Sequence, residues 1–164
     1  LRRVQRVGIL MRGCDRDDSI RGAGVMAQRI TTSVRALVEA ANREIEILPV
    51  DEALALHGHD DVVFVDLRDI RELNREGRIP GAFHCPRGML EFWVDPESSY
   101  HKPIFAEDKR FIFFCAGGLR SALAAQTAGR MGLRPVAHIE GGYGAWRKAG
   151  GPIEAVESAK GKTP

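Results

Sequence analysis

Apolar and polar positions change period from segment to segment along this chain, and the changes come in a regular order. Ile30, Val34, Leu37, Val38 and Ala41 recur at helical spacing, with Thr31, Thr32 and Ser33 as candidate caps, and predict an amphipathic helix. EIEIL (44–48) alternates like a short strand, and Pro49 followed by VDEALAL opens a second helix. The apolar run at 62–65 is β-branched at three of four positions, the pattern of a strand buried on both faces. IRELNREG reads as a short polar helix closed by Gly77, and IPGAFHCP as a turn and brief strand ending at Pro86.

Residues 87–109 break this regularity: the first half suits a helical turn, and 96–103 reads as loop. RFIFF (110–114) is then the strongest strand and RSALAAQTAGRM (120–131) the strongest helix. PVAHIE makes another strand, and GYGAWRKAG a final helix ended by Gly150. Strands alternating with short helices predict an α/β fold with a parallel or mostly parallel sheet. In open sheets of this kind ligands bind outside the carboxyl ends of the strands. That rule selects 66–69, 86–93, 115–120 and 140–143 as the segments from which a site is assembled.

At 164 residues the chain suits one domain, long enough to bury a core without disulfide or metal support. No apolar run approaches the roughly 20 residues of a membrane helix. The net charge of +2 argues against nucleic acid as the main partner. That charge is split: residues 1–30 carry seven arginines against three aspartates, and the remainder is mildly acidic. The expected organisation is a basic N-terminal arm at 1–29, a domain at 30–153 and a C-terminal tail at 154–164. The arm has no initiating Met and reads as a leader or vector-derived segment, with the natural start near Met26. Cys14, Cys85 and Cys115 are odd in number and far apart, and His84, His101 and His138 are scattered. Neither a disulfide framework nor a metal site is expected, and the reducing cytoplasm is the expected compartment.

The chemistry concentrates at Cys115, where the strongest strand stops just before the strongest helix. Gly117 and Gly118 allow backbone angles at which successive amides turn inward as an anion-binding nest. The helix that follows adds unpaired amides and the positive end of its dipole, and Arg120 adds a full charge. Each of these favours thiolate over thiol, so Cys115 is the candidate nucleophile, with Ala116, Gly117, Gly118, Leu119, Arg120 and Ser121 as its anion-binding loop. Other anion loops do not fit. There is no GxxxxGK[ST] string, and GGYG (141–144) lacks the spacing of a dinucleotide fingerprint.

The loop resembles that of the rhodanese family. VDLR (65–68) is similar to the family's Val-Asp-x-Arg strand end, and GRIPGAFHCP (77–86) to its Gly-His-Ile-Pro-Gly-Ala segment, with Arg78 where histidine is common. CAGGLRSALAA matches the single-domain Cys-x-x-Gly-x-Arg-Ser pattern, and IEGGYGAW (139–146) the Gly-Gly-x-x-x-Trp signature. The resemblance implies a five-stranded, mostly parallel sheet with helices on both faces. It also implies a cysteine that accepts a sulfane sulfur as a persulfide and passes it to a thiol or other nucleophile, with no cofactor. A small molecule or a protein would serve as donor. Sulfurtransferases of the family have four residues between cysteine and arginine and its phosphatase branch five; Ala116 to Leu119 count four. A non-catalytic binding module and a cysteine phosphatase or arsenate reductase are the alternatives.

Other residues carry divided readings. Asp66 and Arg68 are expected to brace the loop as an ion pair more than to touch substrate. Arg87, on the functional edge, either attracts an anionic donor or is a solvated charge. Arg78 reads as a loop or surface charge. Phe92 and Trp93 wall the pocket or cover the core. Gly141 and Gly142 permit a tight turn, with Trp146 buried. Cys85 is a packed thiol unless it approaches Cys115 closely enough to resolve a persulfide.

Overall fold

In the computed structural model, residues 28–156 are described; the basic arm through residue 27 and the tail from residue 157 lie outside them. The chain divides after Thr31, and the sheet, its helices and the cysteine loop all belong to the unit that follows. Its strands are β1 (Glu46–Leu48), β2 (Val62–Asp66), β3 (Phe83–His84), β4 (Arg110–Phe114) and β5 (Val136–Ile139). Its helices are α1 (Val34–Glu44), α2 (Val50–Leu56), α3 (Ile70–Glu76), α4 (Leu90–Val94), α5 (Leu119–Arg130) and α6 (Gly142–Lys148), with short 3₁₀ turns at Arg87–Met89 and Pro103–Ala106.

The expected mostly parallel sheet is parallel in every pairing, in the order β1-β5-β4-β2-β3. Alternation along β4 builds two cores. Phe111 and Phe113 join Val63, Val65 and the alanines of α5 on one face. Ile112 and Phe114 join Phe64, Ile139, Tyr143 and Trp146 on the other. Continuous apolar runs are therefore needed in the central strands, because both of their faces are covered.

This strand order creates the site. The chain leaves β2 toward β3 on one side and leaves β4 toward β5 on the other, so their loops diverge at the carboxyl edge, where open α/β sheets bind ligands. Local signals fix the helix starts and stops. Ser33 caps α1 through a bond to the Ala36 amide. Asp69 and Glu72 form a reciprocal capping box on α3, which ends at Gly77 with φ +80°.

Helix α1 departs from its predicted stripe. Ile30 precedes the helix, Val38 and Ala41 are buried against Ala122, and Val34 and Leu37 remain 62% and 47% exposed. The helix rests on α5 by one narrow strip, so half of its apolar positions stay outside the core. At the other end, Glu154 pairs with Arg78 through two backbone hydrogen bonds and a 2.6 Å ion pair. That places Arg78 in a bridge to the segment after α6.

Candidate active site

The loop after β4 is shaped from behind by the start of α6. The carbonyls of Cys115 and Ala116 accept from the amides of Tyr143 (2.8 Å) and Gly144 (2.9 Å). With those carbonyls turned away, the loop amides are left for an anion. Gly118 N donates to Cys115 Sγ at 3.2 Å. Among the described residues, the amides of Ala116, Gly117, Leu119, Arg120 and Ser121 donate to no backbone or side-chain acceptor. Unpaired amides at the start of a twelve-residue helix, with the helix dipole behind them, form an anion site.

Two of the glycines are required, Gly118 by its backbone angle and Gly142 by close approach as well. Gly118, with φ +96°, caps α5, and a β-carbon there would meet Gly141 N at 3.4 Å. A β-carbon on Gly142 would overlap the Cys115 carbonyl oxygen and lie 3.0 Å from Gly118 N, and its φ is +57°. Gly142 is thus the residue against which the cysteine loop is moulded, beyond its expected part in a tight turn.

Cys115 is 1% exposed and lies at the floor of the loop. Its sulfur is 3.6 Å from Ser121 Oγ, which also contacts Gly118 O (3.1 Å) and His138 Nδ1 (3.3 Å). Arg120 does not stand as a lone charge beside the sulfur. It makes a two-pronged pair with Glu72, both bonds 2.8 Å, which pulls the Glu72 carboxyl down to about 2 and raises the Arg120 guanidinium. A weaker attraction to Cys115 adds to that rise. Sequence reasoning missed Glu72: its capping spacing D-x-x-E is visible locally, its partner 48 residues away is not.

Asp66 and Arg68 form a fully buried pair. Arg68 Nε and Nη2 reach the carboxylate at 3.0 and 2.7 Å, and Nη2 also donates to Gly77 O at 2.8 Å. Its guanidinium lies 3.6 Å over the Tyr143 ring, whose hydroxyl donates to Glu76 O. Among the described residues Arg68 Nη1 has no hydrogen bond, with Glu76 at ion-pair distance, 3.6 Å. The pair therefore braces Tyr143, and the Tyr143 amide holds Cys115 O.

A profile described as Rhodanese-like domain matches residues 49–149, more than half of the chain. The chain belongs to the rhodanese family. A relative from Mus musculus, thiosulfate sulfurtransferase/rhodanese-like domain-containing protein 3, is 28% identical over 100 residues, 58% of this chain and 64% of that protein. The match thus spans just under two thirds of the mouse protein's length. A sulfurtransferase from Allochromatium vinosum is 29% identical over 98 residues, 60% of this chain and 83% of that protein. A solved structure from Rhodopseudomonas palustris CGA009, a protein of unknown function described as a possible tyrosine phosphatase, is 65% identical. It has a TM-score of 0.77 and covers 79% of this chain and 99% of that one.

Within this rhodanese fold the remaining candidates separate. Arg87 forms an i,i+4 pair with Glu91 at 2.9 Å, and it makes no hydrogen bond to the cysteine loop among the described residues. Trp93 packs on Phe83 and the core, while Phe92 is 53% exposed beside Tyr100. Trp146 is buried. Cys85 cannot resolve a Cys115 persulfide in this arrangement. The Cys85 amide bonds Asp66 O and the Leu67 amide bonds Phe114 O, so the end of β2 lies between the two cysteines. Two strand spacings are about 9–10 Å, beyond disulfide reach. Burial also pushes the Cys85 thiol up to about 12, against a smaller opposing effect of Arg87.

Proposed function

We propose that this rhodanese-family domain is a sulfurtransferase working through a Cys115 persulfide. The observation that carries the reading is the run of amides at Ala116, Gly117, Leu119, Arg120 and Ser121 that find no acceptor among the described residues, next to a sulfur already bonded by Gly118 N. In the first half-reaction the Cys115 thiolate attacks the sulfane sulfur of the donor, for example thiosulfate. The donor S–S bond breaks, and sulfite leaves with the electron pair. The terminal persulfide sulfur then carries the negative charge among the loop amides. In the second half-reaction an acceptor thiolate or cyanide attacks that sulfur, and the Cys115 thiolate is regenerated. One hard transfer becomes two easier ones without net redox change or cofactor. Asp66, Arg68 and Tyr143 hold the loop, and the paired Arg120 and Glu72 fix the first turn of α5 at its rim.

A second reading, cysteine phosphatase, draws on the description of the R. palustris relative. The four-residue span from Ala116 to Leu119 favours sulfur transfer. The test is thiocyanate formation from thiosulfate and cyanide, with persulfide donors as a second substrate set. Parallel double-reciprocal lines, lost in Cys115→Ser, are expected. Faster hydrolysis of an aryl phosphate than transfer from any donor would replace the reading by the phosphatase one. A folded protein inert in both assays would indicate a binding module.

A further inference from the structure

His138 has no part in the transfer just described, yet it is wired to its sulfur. Along β5, Ala137 and Ile139 face the α6 core, so His138 faces the opposite layer, beneath the first turn of α5. It is 4% exposed, its Nδ1 is 3.3 Å from Ser121 Oγ, and its Nε2 has no hydrogen-bond partner among the described residues. Ser121 Oγ is in turn 3.6 Å from Cys115 Sγ.

One hydroxyl therefore serves three neighbours, and a hydroxyl has one proton and two lone pairs. Gly118 O can only accept. While Cys115 is a thiol, all three contacts are satisfied if Ser121 donates to Gly118 O and receives from the thiol and from a protonated Nδ1. When the sulfur becomes an anion it can only accept, so the hydroxyl proton must turn onto it, and Nδ1–H continues to donate. The opposite tautomer fails in both states. Its bare Nδ1 competes for the single hydroxyl proton with Gly118 O in the thiol state and with the sulfur in the anionic state, and its Nε2–H is a buried donor with no acceptor among the described residues.

We propose that His138 is a positioning residue: as the Nδ1–H tautomer it donates to Ser121 Oγ and leaves the Ser121 proton free to turn onto an anionic Cys115 sulfur. Its surroundings keep the ring neutral. Burial lowers its pKa, and Glu140 opposes this only in part. On the elements packed around it, Arg120 is held by Glu72, Glu46 by Arg110, Glu39 by Arg35 and Glu44 by Arg130. Asn42 on α1 is uncharged.

The inference rests on Cys115 being the reacting sulfur of the proposed transfer, but its test needs no sulfur donor. Alkylation of Cys115 by iodoacetamide is followed against pH, with the modified peptide identified by mass. His138→Leu and Ser121→Ala are each expected to slow the reaction at pH 7 about ten- to 100-fold, the effect of one hydrogen bond to a charged group. Each moves the half-maximal rate to higher pH. The double variant should be no slower than either alone. His138→Asn, whose amide nitrogen replaces Nδ1–H, should stay within about twofold of wild type. Ring nitrogen chemical shifts in the unaltered protein should report Nδ1–H, which keeps the test open if a variant fails to fold.

An unchanged profile in folded His138→Leu, additive effects in the double variant, an Asn variant as slow as Leu, or an Nε2–H ring would each overturn the assignment. Normal sulfur loading alongside an unchanged His138→Leu profile would overturn only the positioning role. A His138 effect on alkylation in a protein that loads no sulfur would overturn only the transfer reading.

Discussion

Gly142→Ala tests whether the start of α6 shapes the cysteine loop. An alanine at φ +57° sits in the left-handed region, at a cost of about 1–2 kcal/mol. Its β-carbon would overlap the Cys115 carbonyl oxygen, so that carbonyl must shift by roughly 1 Å to reach ordinary contact, an overpacking cost of about 1–3 kcal/mol. The same shift strains the 2.8 Å bond from the Tyr143 amide to Cys115 O, which contributes about 1 kcal/mol. The expected loss of stability is about 3–6 kcal/mol, measured by urea denaturation with the slope unchanged. Because the amides over Cys115 move with that carbonyl, sulfur loading should fall about 100-fold under conditions where the variant remains folded. Gly88→Ala is the control. Among the described residues its β-carbon meets nothing within 4 Å, and its φ is not positive, so stability should stay within about 0.5 kcal/mol. A folded Gly142→Ala protein that loses less than about 1 kcal/mol and loads sulfur at the wild-type rate would refute the moulding of one loop on the other.

Arg68→Leu leaves Asp66 buried without its partner and removes the cation from the Tyr143 ring, so a loss of about 3–5 kcal/mol is expected on thermal and urea unfolding; a loss below about 1 kcal/mol would contradict the brace. Acid stability should report the Glu72–Arg120 pair. The folded-state value of Glu72 is depressed to about 2 from 4.5, so its contribution is present above pH 4.5 and lost as pH falls toward 2. Discounted for the 41% exposure of the Arg120 side chain, that loss is about 1–2 kcal/mol, and Glu72→Gln should remove this pH dependence in urea unfolding series. Cys85, fully buried and with its thiol pushed up to about 12, should resist iodoacetamide in the native protein at pH 8 while Cys115 reacts; peptide mass mapping that finds Cys85 modified first would contradict this.

The order of elements and the cysteine loop were legible because their signals are local. β4 and β2 are unbroken apolar runs, α5 follows a glycine turn, and Gly77 and Gly150 stop their helices. What was not legible depends on contacts made only once the sheet is assembled. Strand order β1-β5-β4-β2-β3 puts β2 between Cys85 and Cys115, which no spacing in the sequence reveals. Arg120 reads as a lone charge until α3 brings Glu72 to it. His138 reads as one strand position among several, because its partner Ser121 lies across the layer in α5. Helix α1 shows its amphipathic period clearly, yet periodicity says which positions share a side and not how much of that side a neighbour covers. Val34 and Leu37 are exposed for that reason.

The most direct test of the central claim is the intact mass of the protein after incubation with thiosulfate or a persulfide donor, before and after cyanide. A gain of one sulfur atom located on the Cys115 peptide, its removal by cyanide with release of thiocyanate, and no gain in Cys115→Ser are expected. A folded, reduced protein that gains no sulfur from any donor, or a Cys115→Ser variant that still carries a transferable sulfur, would contradict that claim.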